Sequence, residues 1–391
     1  MTMPAEADRL LREGVAAMQR GDARGARALF ERVGGIAGVS PPFLLIAQSC
    51  RALGDEAAEA AALDALLAEQ PRHLRGLLMK GDAAIRRGDD RAAGSFYQSA
   101  LASAALASNI APGLAADLGR AQAFLGSATQ RYEAHLFDHL AAAGFGGDRL
   151  APGVQRAIDV LTGKREVFLQ RPNSFYYPGL PNIEFYERAR FAEWLPAIEA
   201  ATGAIRAELE AVMSDGRDFP AYVEARSDRP RPANPLLEST SWGAFHLWKG
   251  GVPVAGNADR CPATMAALTG APIPHIAGRS PMALFSLLKP GTHIQPHHGL
   301  INTRLICHLP LIVPGDCALR VGAETRAWRE GEVLIFDDSI EHEAWNRSQS
   351  TRVILLFEIW RPELSDEERA GLTALYEAIG AYGGVPVDEA L

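Results

Sequence analysis

The chain has 391 residues, 48% of them apolar, and a formal net charge of −8. That length suggests two domains, that composition supplies real cores and excludes disorder, and the acidic balance without a basic stripe excludes a nucleic-acid partner. Cys50, Cys261, Cys307 and Cys317 show no CxxC spacing, so neither a zinc knuckle nor a disulfide framework is expected. The first residues, MTMPAEADRLLREG, lack the apolar core of a signal peptide. No uncharged apolar run reaches about eighteen residues, so no membrane span and a cytoplasmic location are expected.

The first hundred residues are rich in alanine, leucine and arginine, which predicts helices. A Gly-Asp pair recurs at Gly21-Asp22, Gly54-Asp55 and Gly88-Asp89, at spacings of 33 and 34 residues. Seven residues before each glycine stands a small residue (Gly14, Ala47, Gly81), and nine after it a large apolar one (Phe30, Leu63, Tyr97). This pattern predicts helical hairpins in which the small residue permits close approach and the large one fills the seam. It resembles the tetratricopeptide repeat, although Glu59 stands where the sister repeats have Ala26 and Ala93. We expect a tetratricopeptide-like repeat domain over residues 1–125 and a helical linker over 126–165. His135 and His139, four apart on one helix face, have no general base beside them and read as surface or packing residues.

At RPNSFYYPGLPNIEFYE the composition turns to proline, aromatic and β-branched residues. From about residue 240, short apolar runs (FHLW, ALFSLL, RLICHLPLIV, EVLIF, RVILLFEIW) are separated by glycine and proline, which predicts an all-β barrel or sandwich. The segment PELSDEERAGLTALYEAIGAY opens with a helix-starting Ser-Asp-Glu-Glu and predicts one closing helix.

His275, His293, His297, His298, His308 and His342 lie in this β-rich half. Any one alone would read as structural. His297, however, follows a proline-bearing turn, His342 comes 45 residues later after FDDSIE, and Arg352 opens the apolar run RVILLFEIW. Two histidines on neighbouring strands suit a non-haem iron. An arginine heading an apolar strand is costly unless an anion meets it, and 2-oxoglutarate would do so through a bidentate pair. The usual iron site adds a carboxylate two residues after the first histidine, but that place is Gly299. In an extended chain His297 and His298 point to opposite faces, so only one of them faces the interior. Asp337, Asp338 and Glu341 are candidates to orient an imidazole.

From NSFYYPGLP onward, over residues 170–364, the chain resembles the aspartyl/asparaginyl β-hydroxylase family. The resemblance rests on GTH-x-x-PH-x-G at Gly291 to Gly299 and R-L-x-x-H-L-x-L at Arg304 to Leu311. It rests also on GEVLIFDDS-x-EHE-x-W at Gly331 to Trp345 and W-x-P-E-L at Trp360 to Leu364. It implies a multidomain α-then-β chain, with helical repeats followed by a double-stranded β-helix (jelly-roll, cupin-like) oxygenase domain over 166–391. It implies iron(II), 2-oxoglutarate and O2 as cofactors, with His297 and His342 as the iron ligands and no carboxylate ligand. Arg352 and Ser286 would hold the far carboxylate of 2-oxoglutarate, His308 would bond its near end, and Trp242 would line the pocket. Two departures bear on the substrate pocket. Ile306 stands where the family enzyme carries a second arginine, leaving Arg304 as the remaining cation, and Ala244 replaces a polar residue.

The expected reaction is hydroxylation of a C–H bond, with the β-carbon of an aspartyl, asparaginyl or related residue in a peptide or protein as the favoured target. A free amino acid or other small metabolite is the first alternative. A non-haem iron halogenase, suggested by Gly299, and a catalytically silent scaffold are the others. Helical repeats favour a peptide or protein partner.

Overall fold

The computed structural model describes residues 4–383 except 108, 217, 226, 228, 229 and 232. The chain divides into two compact units, 1–162 and 163–391. Each hydrophobic cluster draws its residues from one unit alone.

Among the described residues the first unit is three helical hairpins, two further α-helices and a short 3-10 helix at Gly147–Arg149 between those two. The hairpins are α1 (Ala5–Gln19) with α2 (Ala23–Gly34), α3 (Phe43–Ala52) with α4 (Glu56–Glu69), and α5 (Leu74–Arg86) with α6 (Asp90–Ala105). The recurring Gly-Asp pair performs two local tasks. Gly21, Gly54 and Gly88 take the left-handed conformation, with φ of 83°, 72° and 72°, that ends the first helix. The next residue caps the second: the Asp22, Asp55 and Asp89 carboxylates accept from the backbone N–H of Gly25, Ala58 and Ala92 at 2.8, 3.1 and 2.9 Å. A Cβ at Gly14 or Gly81 would overlap the ring of Phe30 or Tyr97, which is why those places are small. Glu59 is buried, and Arg86 of the next hairpin donates to it. The repeats are tetratricopeptide-like.

The expected boundary at residue 125 falls inside a helix. α7 (Pro112–Ala142) runs unbroken across it, and α8 (Pro152–Leu161) follows within the same unit. Leu118, Ala121, Phe124 and Leu125 of α7 pack on the last hairpin, so apolar contact makes this segment part of the helical unit instead of a linker. His135 and His139 line a shallow groove between α7 and α8 with Leu136, Leu140 and Ile158.

The second unit is a double-stranded β-helix of two antiparallel sheets. Its strands are β1 (Trp242–Lys249), β2 (Val252–Pro253), β3 (Ala283–Leu288), β4 (His293–His297), β5 (Arg304–Ile312), β6 (Cys317–Val321), β7 (Glu324–Ala327), β8 (Leu334–Phe336), β9 (His342–Asn346) and β10 (Arg352–Trp360). The larger sheet has the order β2-β1-β3-β10-β5-β8 and the smaller β4-β9-β6-β7. Side chains alternate between sheet faces. On β10, Val353, Leu355, Phe357 and Ile359 face an outer core covered by α9 (Leu195–Ala200), α10 (Thr202–Met213) and α11 (Pro262–Leu268). Ile354 and Leu356 face the cluster between the sheets. Burial of both faces explains why β5 and β10 read as continuous apolar runs. The predicted closing helix is α12 (Asp366–Gly383), whose Leu372 and Tyr376 pack on Ile301 and Trp360. Among the described residues no helix is long and apolar enough to cross a membrane.

Candidate active site

Strand register brings the two histidines together. His297 on β4 and His342 on β9 are paired across the smaller sheet, with ring centroids 4.1 Å apart. His297 Nδ1 lies 2.8 Å from the Gln295 carbonyl and His342 Nδ1 3.0 Å from the Ile340 carbonyl. A carbonyl only accepts, so each Nδ1 carries the proton and each Nε2 keeps its lone pair. Burial holds both imidazoles below the usual range, His342 far below it with His297 adding to the effect, and keeps them neutral.

The orienting groups are therefore backbone carbonyls and none of the three carboxylates expected from the sequence. Asp337 pairs with Arg361 at 2.8 Å and accepts from Ser339, which folds the loop ahead of β9. Glu341 pairs with Arg320 at 2.9 Å. Asp338 has another place. A Cβ at Gly299 would overlap the Asp338 carboxylate, so the room vacated by the missing side chain of residue 299 holds a carboxylate from the loop four residues before His342. The Gly299 N–H also donates to the Asp338 carbonyl at 2.6 Å.

His297 and His342 line a cavity of about 90 Å3 with Trp242, Ser286, Arg304, Ile306, His308, Asp338 and Arg352. Trp242, Ser286, His297, Arg304, Ile306, His308, His342 and Arg352, all expected from the sequence, are among its walls. Alternation explains this: Trp242 on β1, Ser286 on β3, Arg304, Ile306 and His308 on β5, and Arg352 on β10 each project between the sheets. Trp242 stacks on Tyr222 at 4.1 Å and donates from Nε1 to Ser286 Oγ at 3.2 Å.

Arg352 is fully buried, 4.7 Å over the Trp328 ring, and donates to the Ser286 carbonyl at 3.2 Å. No carboxylate among the described residues pairs with it, its Nε has no partner, and burial pulls its pKa down to about 10. His308 is buried edge-on to Phe336 at 4.9 Å with Nδ1 unpartnered, and burial followed by the Arg352 charge drives its pKa well below the usual range. Orphaned buried donors facing one cavity fit an anionic ligand.

Arg304 does not remain as a cation for substrate. It pairs with buried Glu358 on β10 and lies 3.6 Å from Asp338. Ala244 is buried beside Trp242 but does not line this cavity. His298, His293 and His275 stay outside it: the Asn173 side chain donates to the His298 carbonyl, His293 pairs with Glu343 at 2.6 Å, and His275 is exposed. The sequence reading missed Tyr222, for which no local signal exists. It also missed the apolar wall of Ile294, Leu319, Ile354 and Leu356, of which Ile354 and Leu356 follow from period two counted from Arg352.

Fold and cavity together define a double-stranded β-helix with a two-histidine site. The model of the family described as aspartyl/asparaginyl beta-hydroxylase matches residues 199–362 of this chain. The chain is 38% identical over 189 residues to the ornithine lipid ester-linked acyl 2-hydroxylase of Rhizobium tropici, covering 48% of this chain and 63% of that protein. It is 39% identical over 142 residues to the human aspartyl/asparaginyl beta-hydroxylase, covering 36% of this chain and 18% of that one. The chain thus spans less than two thirds of either relative. Its helices are similar to the Sgt2 TPR domain from Aspergillus fumigatus, at 21% identity over 32% of this chain and 83% of that one, with a TM-score of 0.28.

Proposed function

We propose that the chain is an iron(II)- and 2-oxoglutarate-dependent hydroxylase that oxidises a methylene group next to a carbonyl carbon. One observation carries this reading: two neutral imidazoles with free Nε2 lone pairs share a cavity with a buried guanidinium that no carboxylate among the described residues answers. His297 and His342 would hold the iron, and Arg352 with Ser286 would hold the distal carboxylate of 2-oxoglutarate, with His308 at its near end. Iron with 2-oxoglutarate and O2 supplies the oxidant that inserts one oxygen atom into a C–H bond, the other oxygen leaving in succinate as CO2 is lost. The chain's own residues orient and exclude water. The carbonyls of Gln295 and Ile340 lock the ring orientations, and the apolar wall shields the reacting carbon.

The two relatives' names point to different substrates with one feature in common. The β-carbon of an aspartyl residue and carbon 2 of an acyl chain are both methylenes beside a carbonyl carbon. The helical unit bears on partners. It has a groove of about 390 Å3 lined by Arg51, Arg75, Arg120, Asp82 and Asp117, a surface that suits a polar peptide segment. The halogenase alternative is opposed by Asp338, whose carboxylate fills the room at Gly299 where a halide would meet like charge.

The test is turnover of 2-oxoglutarate to succinate by the purified chain with iron(II) and ascorbate, read with a mass gain of 16 on the substrate. His297→Ala and His342→Ala should each abolish both. Wild-type turnover in either variant would overturn the assignment.

A further inference from the structure

The two imidazoles meet beyond the regular part of their ladder. β4 and β9 pair at His293 with Trp345 and at Ile294 with Ala344; the register then slips, and pairing resumes at His297 with His342. Pro296, inside the slip, has no N–H to give to a partner strand. An irregularity of this kind re-aims a side chain and interrupts the ladder. Each ring is oriented by a carbonyl of its own segment, Gln295 or Ile340. The spacing of the two rings therefore depends on what joins one segment to the other.

A third segment, residues 170–177, bonds to both. Toward the loop after His297, the Asn173 and Ser174 N–H groups donate to the Gly299 and Leu300 carbonyls, each at 2.9 Å, and Asn173 Nδ2 donates to the His298 carbonyl at 2.7 Å. Toward the loop before His342, the Arg171 N–H donates to the Ser339 carbonyl at 2.7 Å. One side chain reaches both loops. Gln170 Nε2 donates to the Asp337 carboxylate at 2.8 Å, and Gln170 Oε1 accepts from Asn302 Nδ2 at 2.9 Å. The carboxylate is paired with Arg361 and only accepts, which settles the orientation of the Gln170 amide. Asn302 and Asp337 are fully buried, and Arg361 Nη1 joins the same two loops through the Asp337 carboxylate and the Asn302 carbonyl. Gln170 and Asn173 do not line the cavity.

We propose that segment 170–177 is a strap that sets the spacing of His297 and His342, with Gln170 and Asn173 as its positioning residues. A site with two protein ligands gains little from each further donor, so its affinity depends on how well those two are held in place beforehand. The strap supplies that order from outside the strands that carry the ligands. The inference rests on the metal reading of His297 and His342 and deepens it by naming what keeps them together.

Full-length protein is titrated with cobalt(II), whose visible absorption reports entry into an imidazole site, and folding is followed by tryptophan fluorescence in urea. Wild type should bind the ion and His297→Ala should not. Wild type without the absorption, or His297→Ala retaining it, removes the metal reading and this inference with it. Gln170→Met keeps the length of the side chain and loses both bonds. It leaves neither partner unpaired, because Asn302 Nδ2 also donates to the Tyr177 carbonyl and Asp337 keeps Arg361. Asn173→Ala changes an exposed residue. The double variant should weaken cobalt binding at least ~5-fold and shift its absorption, at unchanged stoichiometry. Each single variant should show part of that loss, so the test survives if the double variant does not fold. Tyr177→Phe removes the bond from the same segment to Glu368 of α12 and should bind cobalt as wild type does. A smaller loss in the double variant, with wild type binding through His297, overturns the strap and leaves the metal reading standing. Fewer sites of unchanged affinity, a lowered urea midpoint alone, or an equal loss in Tyr177→Phe marks a merely structural segment and overturns it too.

Discussion

Arg352 is a cation held away from water, with no carboxylate among the described residues to answer it. Its burial is unfavourable in the ligand-free protein and becomes favourable only when an anion arrives. Replacing Arg352 by methionine should therefore raise ligand-free stability by about 1–3 kcal/mol in urea melts while raising the 2-oxoglutarate concentration needed for half-maximal turnover roughly 10–100-fold. Loss of stability with unchanged 2-oxoglutarate dependence would show a purely structural arginine. Gly299 and Asp338 form a second linked pair. A methyl group at 299 displaces the Asp338 carboxylate, so Gly299→Ala should cost about 1–3 kcal/mol alone and much less in an Asp338→Gly background. Additive costs in that double-mutant cycle would mean the two residues do not share the room. At this level the histidines and arginines were readable from the chain because spacing and chemistry mark them. The closure of Arg304 by Glu358 was not, because the two lie 54 positions apart and meet only through the β5–β10 register.

Within the hairpins, geometry is written locally. The glycine reverses the chain in a conformation other residues avoid, and the aspartate after it satisfies the next helix's free N–H groups. Asp89→Ala removes one cap and should lower the stability of the helical unit by about 1 kcal/mol, read by far-ultraviolet circular dichroism. No change in the melt would mean that the cap contributes nothing measurable there. The strands are a different case. Their composition identified them, but period two decides what each residue does: the odd members of β10 beginning at Val353 build the outer core, and the even members beginning at Arg352 build the site. A shift of one residue in register would exchange these roles.

The two units carry separate cores, and all six tryptophans fall in the second, at positions 194, 242, 248, 328, 345 and 360. Tryptophan fluorescence therefore reports on the β-helix unit alone. Several of its histidines are buried neutral: burial lowers His246 to about 4 and His308 and His342 well below their ordinary value. An unfolded histidine takes up its proton near pH 6.5, so between that pH and the lower folded value the unfolded state binds more protons. Stability is fully present above about 6.5 and falls as pH drops toward 4. His246→Gln should shrink the difference in unfolding free energy between pH 7 and pH 5 by about 2 kcal/mol, measured by fluorescence-detected urea unfolding. An unaltered difference would mean that His246 titrates normally in the folded protein.

Local chemistry alone determined the helical hairpins and the run of strands, because turns, caps and apolar periodicity act over a few residues. Spacing left His297 and His298 both open as the inward histidine, and it was the resemblance of GTH-x-x-PH-x-G that pointed to His297. Tertiary structure decided the rest: that residue 125 lies inside a helix, that carbonyls and not carboxylates orient the imidazoles, that Asp338 fills the place left by Gly299, and that Arg304 is already paired. Each of these is a contact between segments far apart in the chain. Strand register and packing set such contacts, and neither is encoded in any single stretch of residues.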